Sequence, residues 1–352
     1  MRKGFGLIII LLGVGLLSIL AILIIQNTKF KIFASESAKN RQKSQNKSEI
    51  ESKTIKHGVT EIGTLGGNYS KANGINEKGE IVGESNTQEG NTHAFYWKDG
   101  NIKDLGTLTG GNSSIATAIN EKGDIVGMSN NASGQNHAVL WKDGKIQDLG
   151  TLSGGDSFSI ARSINSKGQI VGASQTSSGD THAFLWSNSK MTDLQTLGGK
   201  NSDAQSINEK GQVVGYALTS TDTPNAFLWE NGKMTNLGTL GGTRSNGASI
   251  NEKGEIVGYS EIIGGTQHAF IWKDNKMTDL QTLAGQTTSS AIGINKKSVA
   301  TGTSGDKTVV WDNGISTVPI DLATPNAIND NNQIVGSLQL ANGQTRGFVL
   351  TF

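Results

Sequence analysis

Apolar residues fall along this chain in two unlike patterns. Residues 4–25 form one unbroken run, GFGLIIILLGVGLLSILAILII, with Ser18 as the lone polar side chain. At about 1.5 Å per residue such a run makes a helix of roughly 33 Å, enough for a hydrocarbon core of about 30 Å. From residue 59 onward the apolar residues come instead in bursts of four or five, divided by Gly, Asn, Asp and Ser. No 3.6-residue period persists there, and β-branched and aromatic residues fill the bursts, so they predict short strands. Between the two regions, residues 27–58 hold almost nothing that could enter a core and read as a hydrated stalk.

The strand region is a repeat. An Ile-Asn step, a tight turn and a Val-Gly step recur as GINEKGEIVG (74–83), AINEKGDIVG (118–127), SINSKGQIVG (163–172), SINEKGQVVG (206–215), SINEKGEIVG (249–258), GINKKSVATG (293–302) and AINDNNQIVG (327–336). The Asn markers are spaced by 44, 45, 43, 43, 44 and 34 residues. A second element follows each: HAFYW, HAVLW, HAFLW, NAFLW and HAFIW, then the divergent KTVVW and RGFVL. A third, DLGTL or DLQTL, ends most units.

Each unit divides into four predicted strands. In the second unit these are SIATAIN (114–120), GDIVGMS (123–129), HAVLW (137–141) and KIQDLGTL (145–152), with a Gly-ended turn at 120–123 and an Asp-Gly hairpin at 143–144. Four strands per 40–45 residues is the period of propeller blades. Small residues in each first strand suit the crowded centre of a ring. The seventh copy has three strands before Phe352, while VTEIGTL (59–65) is a fourth strand with no unit before it. Joining the two completes a blade and covers two sheet edges. The expectation is an all-β, seven-bladed β-propeller over 59–352, closed by an N-terminal strand, with a transmembrane signal anchor over 1–26 and the stalk over 27–58. Pro319 is placed in an outer strand, and Pro224 and Pro325 in loops.

These elements resemble the repeat of the extracellular HAF family of bacterial proteins. The resemblance spans about 60–350 and weakens in the last two units, where Ser298 replaces the turn Gly and Leu350 the Trp. It implies an exported protein and brings no activity with it. The unit is also similar in logic to WD-repeat blades, although Trp-Asp occurs only at Trp311-Asp312.

Composition refines the picture. Residues 1–58 hold ten Lys/Arg and three Glu, leaving 21 basic and 27 acidic groups in 59–352. A mildly acidic folded part argues against a nucleic-acid partner. There is no Cys, so disulfides and thiolate-held metals are excluded. The apolar run exceeds a secretory h-region of about 7–15 residues and lacks a good cleavage site, which favours an uncleaved anchor and a single-pass protein with the propeller outside the cell. Arg2 and Lys3 favour a cytoplasmic N-terminus, against Lys29, Lys31, Lys39 and Arg41 on the other flank.

No nucleophile elbow, zincin, phosphate-loop or dinucleotide motif occurs. One set of loops is uniform and tight; the loops between second and third strands vary and are rich in Asn, Ser, Thr and Gly. Varied loops on a rigid scaffold are where binding concentrates. Asn91, Asn136, Asp180, Asp222 and Glu261 are the candidate ligand contacts, for a glycan or protein partner, with no cofactor expected. The alternative is a glycosidase or lyase drawing two carboxylates from Glu89, Asp180, Asp222, Glu261 and Asp306. His93, His137, His182 and His268 stand at matched positions. Symmetry should point them apart, which argues against a shared metal, so they are read as structural, each bonding to the backbone of an adjacent strand or blade. Trp97, Trp141, Trp186, Trp229, Trp272 and Trp311 are read as packing between blades.

Overall fold

The computed structural model describes residues 58–155, 157–317 and 323–352. The expected membrane helix, the stalk up to residue 57 and Pro319 lie outside the described residues. Within them there are 28 strands and no helix, hence none long and apolar enough to cross a membrane.

The strands form seven four-stranded units, five as separate antiparallel meanders, while the first meander and a seventh unit of mixed origin meet in one eight-stranded sheet through the parallel pair Tyr69↔Thr345. In the second unit the strands are Ser114–Ile119, Ile125–Asn130, Asn136–Lys142 and Lys145–Asp148. The first hairpin turns on Gly123 at φ 87, and the last on Asp143 and Gly144 at φ 52 and 74, the paired left-handed geometry that matches strand twist. The seventh unit takes Ala323–Ile328, Gln333–Gln339 and Thr345–Thr351 from one end of the chain. Its fourth strand is Gly58–Ile62, antiparallel to the third from Gly58↔Thr351 to Ile62↔Gly347.

Two expectations need correction. The element DLGTL is not strand beyond its Asp. In unit 2 the Asp148 Oδ1 accepts the Gly150 N–H at 2.8 Å, and Gly150 sits at φ 75, so the chain leaves the sheet there. Nor do Pro224 and Pro325 fall in loops. Pro224 opens the third strand of unit 4, and Pro325 stands at the register shift of the first strand of unit 7, two places where a missing N–H is tolerated.

The first strand carries a register shift two residues before its end, as between Ala72 and Gly74 or Ala116 and Ala118. The shift presses its backbone on the second strand. A Cβ on Gly83 would collide with the Lys71 carbonyl oxygen, and the corresponding Gly of all seven units meets the same obstacle. The Gly also lies opposite the aromatic of the third strand, as Gly83 does to Phe95. Phe95, Phe184, Phe227, Phe270 and Phe348 are wholly buried, each at roughly 1.5–3 kcal/mol of burial. Seven apolar clusters result, and each joins two units. One combines Val126, Ala138 and Leu140 with Ile164, Ile170 and Phe184; another combines Ile62 and Val335 with Ala72, Ile81, Phe95 and Trp97.

Polar groups bind the same junctions. Each marker Asn is buried and donates Nδ2 to the carbonyl of the marker in the next unit: Asn76 to Asn120, on to Asn165, Asn208, Asn251, Asn295 and Asn329, each at 3.1 Å. Asn329 donates in turn to Asn76 at 3.0 Å. Its Oδ1 meanwhile accepts the N–H groups two and four residues on, as Asn208 does from Lys210 and Gln212, holding the turn. A buried Ser forms a second clasp. Ala94 N donates to Ser114 Oγ, which donates to Gly106 O, and Ser159, Ser202, Ser245 and Ser289 repeat the pattern. Ser70 does the same for Gly347 and Ile62.

Replacing Asn208 by Ala leaves the turn N–H groups of Lys210 and Gln212 without their acceptor and removes one of two bonds on the Asn251 carbonyl, which keeps the Gly254 N–H. At about 1–3 kcal/mol for each buried group left unpaired, Asn208→Ala should cost roughly 2–4 kcal/mol in urea unfolding. A loss under about 0.5 kcal/mol would mean the ladder is incidental to stability.

Candidate ligand-binding face

The two faces differ because their loops do different work. On the uniform face each turn is fastened to the next. Lys78 Nζ reaches Glu121 O at 2.7 Å, and where the residue after the marker Asn is acidic it takes an N–H from the preceding unit, as Glu121 does from Glu77 and Glu77 from Asp330. Partial burial pushes the Glu77 carboxyl above the usual range, helped by the charges of Asp330 and Glu121.

On the varied face the five proposed contacts stay in separate units. The Asn91 carbonyl accepts from Thr87 N, and Asn136 lies opposite Asn130 at the start of its strand. Asp180 accepts from Ser178 Oγ at 2.9 Å, and Asp222 caps a turn onto Thr219 at φ 54. Glu261 accepts from Thr243 N and Oγ1, which holds its carboxyl below the ordinary range. Glu89 is held low chiefly by its own backbone N–H, and Asp306 pairs with Lys307 at 3.2 Å. No hydrogen bond or ion pair among the described residues joins two of these acids.

The His positions have a different partner from the one expected. His93, His137, His182 and His268 each place Nδ1 at 2.7–2.8 Å from an Asp Oδ2 eleven residues on: Asp104, Asp148, Asp193 and Asp279. The partner is a carboxylate of the same sheet, not backbone of an adjacent strand or blade. The reason is the Asx turn that ends the fourth strand. Its Oδ1 is taken by the N–H two residues on, and Oδ2 is left facing the neighbouring third strand. In unit 4 the two residues are Asn225 and Asn236, in amide-to-amide contact at 3.1–3.2 Å. Among the described residues no three His, Asp or Glu are grouped to hold a metal. The Trp positions split: Trp97, Trp141 and Trp311 are buried, while Trp186, Trp229 and Trp272 are half-buried at the cluster edges. Trp311 Nε1 donates to Leu280 O at 3.1 Å, whereas Trp141 Nε1 is buried without a partner.

The facing positions of the first two strands vary from unit to unit; Lys71 and Glu84 face each other in unit 1, and a run of polar and aromatic side chains spans units 3–5. At the register shift of the first strand Asn73, Thr117 and Asn326 donate to a carbonyl of the next unit. Arg162 takes that place in unit 3 and grips Asp203 of unit 4, Nε to Oδ1 at 2.9 Å and Nη2 to Oδ2 at 2.8 Å. The Asp203 side chain is 9% exposed and that of Arg162 34%. Tyr216 lies opposite Asp203, and Tyr259 opposite Asn246, whose Oδ1 is buried without a partner. Burial and the Asp203 charge push the Tyr216 hydroxyl upward. The signal was present in the repeat: aligned copies carry Ile115 and Ile160 where Asp203 stands, and Met128 and Ala173 where Tyr216 stands.

No family model and no curated protein matches this chain. Solved structures resemble it. The β-propeller domain of the Trilobed protease from Pyrococcus furiosus matches at 11% identity over 80% of this chain and 93% of that one, with a TM-score of 0.53. An acylaminoacyl peptidase of Pyrococcus horikoshii matches at 10% identity over 82% of this chain, TM-score 0.53, and TolB from Acinetobacter baumannii at 13% over 81%, TM-score 0.46. The chain spans 52% of the peptidase and 65% of TolB. At such identities the likeness concerns fold alone, and the two matches with a TM-score of 0.53 agree with the strands in making the described region all-β and propeller-like.

The His–Asp pair gives a test. His137→Ala should cost about 1–2 kcal/mol in chemical denaturation, since Asp148 loses a charge-assisted partner. Because Asn225 and Asn236 stand together in unit 4, the double change His137→Asn with Asp148→Asn should cost less than the two single changes summed. Strict additivity in that double-mutant cycle would show that the pair is not coupled.

Proposed function

We propose that residues 59–352 form a closed seven-bladed β-propeller, held outside the cell by an uncleaved helix at 4–25, and that it acts as a non-catalytic recognition module for an envelope glycan or protein partner. The observation that carries this reading is the distribution of asymmetry. Repeated polar side chains are engaged with one another, and the acids of the varied face are held within their own units. The unrepeated Arg162, Asp203, Tyr216, Asn246 and Tyr259 share neighbouring first and second strands of units 3–5. Tyrosines beside a charged pair offer apolar faces together with donors and acceptors, which suits a polyol or peptide backbone. The resemblance to the HAF repeat supports an exported location.

Closure supports rigidity and has its own test. Removing residues 1–65 strips the fourth strand from the last unit and should give an aggregating product, whereas removing residues 1–56 should leave a soluble monomer. Equal melting temperatures for the two would favour an open array.

Recognition is tested by co-sedimentation of the full chain, in a sugar-free detergent, with isolated cell-wall sacculi and with solubilised envelope proteins. Tyr216→Ala with Tyr259→Ala should weaken capture about tenfold, or roughly 1.4 kcal/mol, while far-UV circular dichroism is unchanged. Unaltered capture removes the units 3–5 patch from the reading. Soluble sugar released from the sacculi would replace it with the glycosidase.

A further inference from the structure

The junction between units 7 and 1 differs from the others. In unit 7 the third and fourth strands, Thr345–Thr351 and Gly58–Ile62, come from distant parts of the chain, so no hairpin joins them. Leu350 takes the place of the Trp, lying opposite Ile334 as Trp97 lies opposite Ile81. Val349 stands where unit 1 has Tyr96, and Thr60 near where it has Lys103. The result is a cleft of about 460 Å³, against about 280 Å³ at the corresponding place between units 1 and 2, which Tyr96 and Lys103 line.

We propose that this seam cleft is a binding site for a neutral oligosaccharide, separate from the varied face. Its volume lies within the range of about 300–1,000 Å³ usual for small-molecule sites. Its walls are mostly polar, with the half-buried Val349 and the edge of the buried Trp97 as a narrow apolar strip. Sugar rings present C–H faces to such surface and hydroxyls at their rims. Thr60, Thr351 and Asp99 are all exposed and supply hydroxyl and carboxylate partners at the cleft. Gln333 gives its Oε1 to Asn329 and keeps its amide protons for a ligand hydroxyl.

Charge selects neutral over anionic sugars. Glu77 and Asp99 line the cleft against a single cation, Lys78, whose Nζ already donates to the Glu121 carbonyl. Asp330 and Glu121 add negative charge at Glu77, opposed by Lys296 and by the Lys98 ammonium held on the Lys78 carbonyl at 2.7 Å. A uronate or phosphate would enter against this field.

The full chain in a sugar-free detergent is titrated with cellotetraose, maltotetraose and N-acetylchitotetraose, with tetragalacturonate as the acidic comparison, by calorimetry and saturation-transfer NMR. At least one neutral tetrasaccharide should bind saturably at millimolar or lower concentration, and tetragalacturonate more weakly. Val349→Tyr fills the cleft with the side chain that unit 1 already carries there and should weaken binding at least tenfold. Trp97→Leu, with Leu350 as its precedent, should do the same. Tyr216→Ala with Tyr259→Ala should leave this binding unchanged, which separates it from recognition by units 3–5. The proposal is overturned if no neutral tetrasaccharide binds, if tetragalacturonate is preferred, if the Tyr216 and Tyr259 changes abolish binding, or if binding survives Val349→Tyr. Should Trp97→Leu unfold the chain, the Val349→Tyr result decides alone.

Discussion

Everything in this repeat turns on a buried carboxamide that must satisfy four polar functions at once. A marker Asn such as Asn208 has two acceptor sites and two donors to place away from water. Both acceptor sites go to its own turn. One donor goes to Gln212 of its own unit and one to Asn251 of the next. A single side chain therefore shapes a hairpin and fixes the distance to a neighbour. The register shift beside it forces Gly in the second strand. Gly opposite Phe227 makes room for the ring that fills the layer between units. Backbone geometry, spacing and core follow from one buried amide.

The strand pattern was legible because it rests on period and turn chemistry, which are local. Asn120 to Gly123 names its own turn, and Ala-Phe-Leu-Trp names a strand covered on both sides. The end of the fourth strand was not legible in the same way. DLGTL has good strand composition, and only the Asp side chain capturing the N–H two residues on ends the sheet. The His partner was missed for a related reason. An adjacent backbone was the generic expectation, whereas the true partner lies eleven residues away. Yet Asp follows at that interval in each of the four units that has His, and both positions become Asn in unit 4. The Arg162–Asp203 pair demanded that copies be compared for their differences, since residues that repeat mostly describe how units hold each other.

The same contrast organises the surface. Repeated side chains, including Lys78, Glu121 and the His–Asp pairs, are committed to neighbours. Those that depart from the repeat include the varied loops, the inner strands of units 3–5 and the junction of units 7 and 1. A scaffold of near-identical parts can acquire selectivity wherever one part is altered, because the remaining junctions preserve the fold.

The strand Gly58–Ile62 also has a kinetic meaning. It leaves the ribosome before any meander, yet its partner Thr345–Thr351 is among the last segments synthesised. The six internal meanders join strands close in sequence and can form as they emerge. The Asn329–Asn76 bond spans 253 residues, the pairing of Gly58 with Thr351 spans more, and both must wait for a complete chain. Until then two strand edges stand open, and each is a template for pairing with another molecule. Assembly is therefore governed by how quickly the two ends meet compared with how often growing chains meet each other.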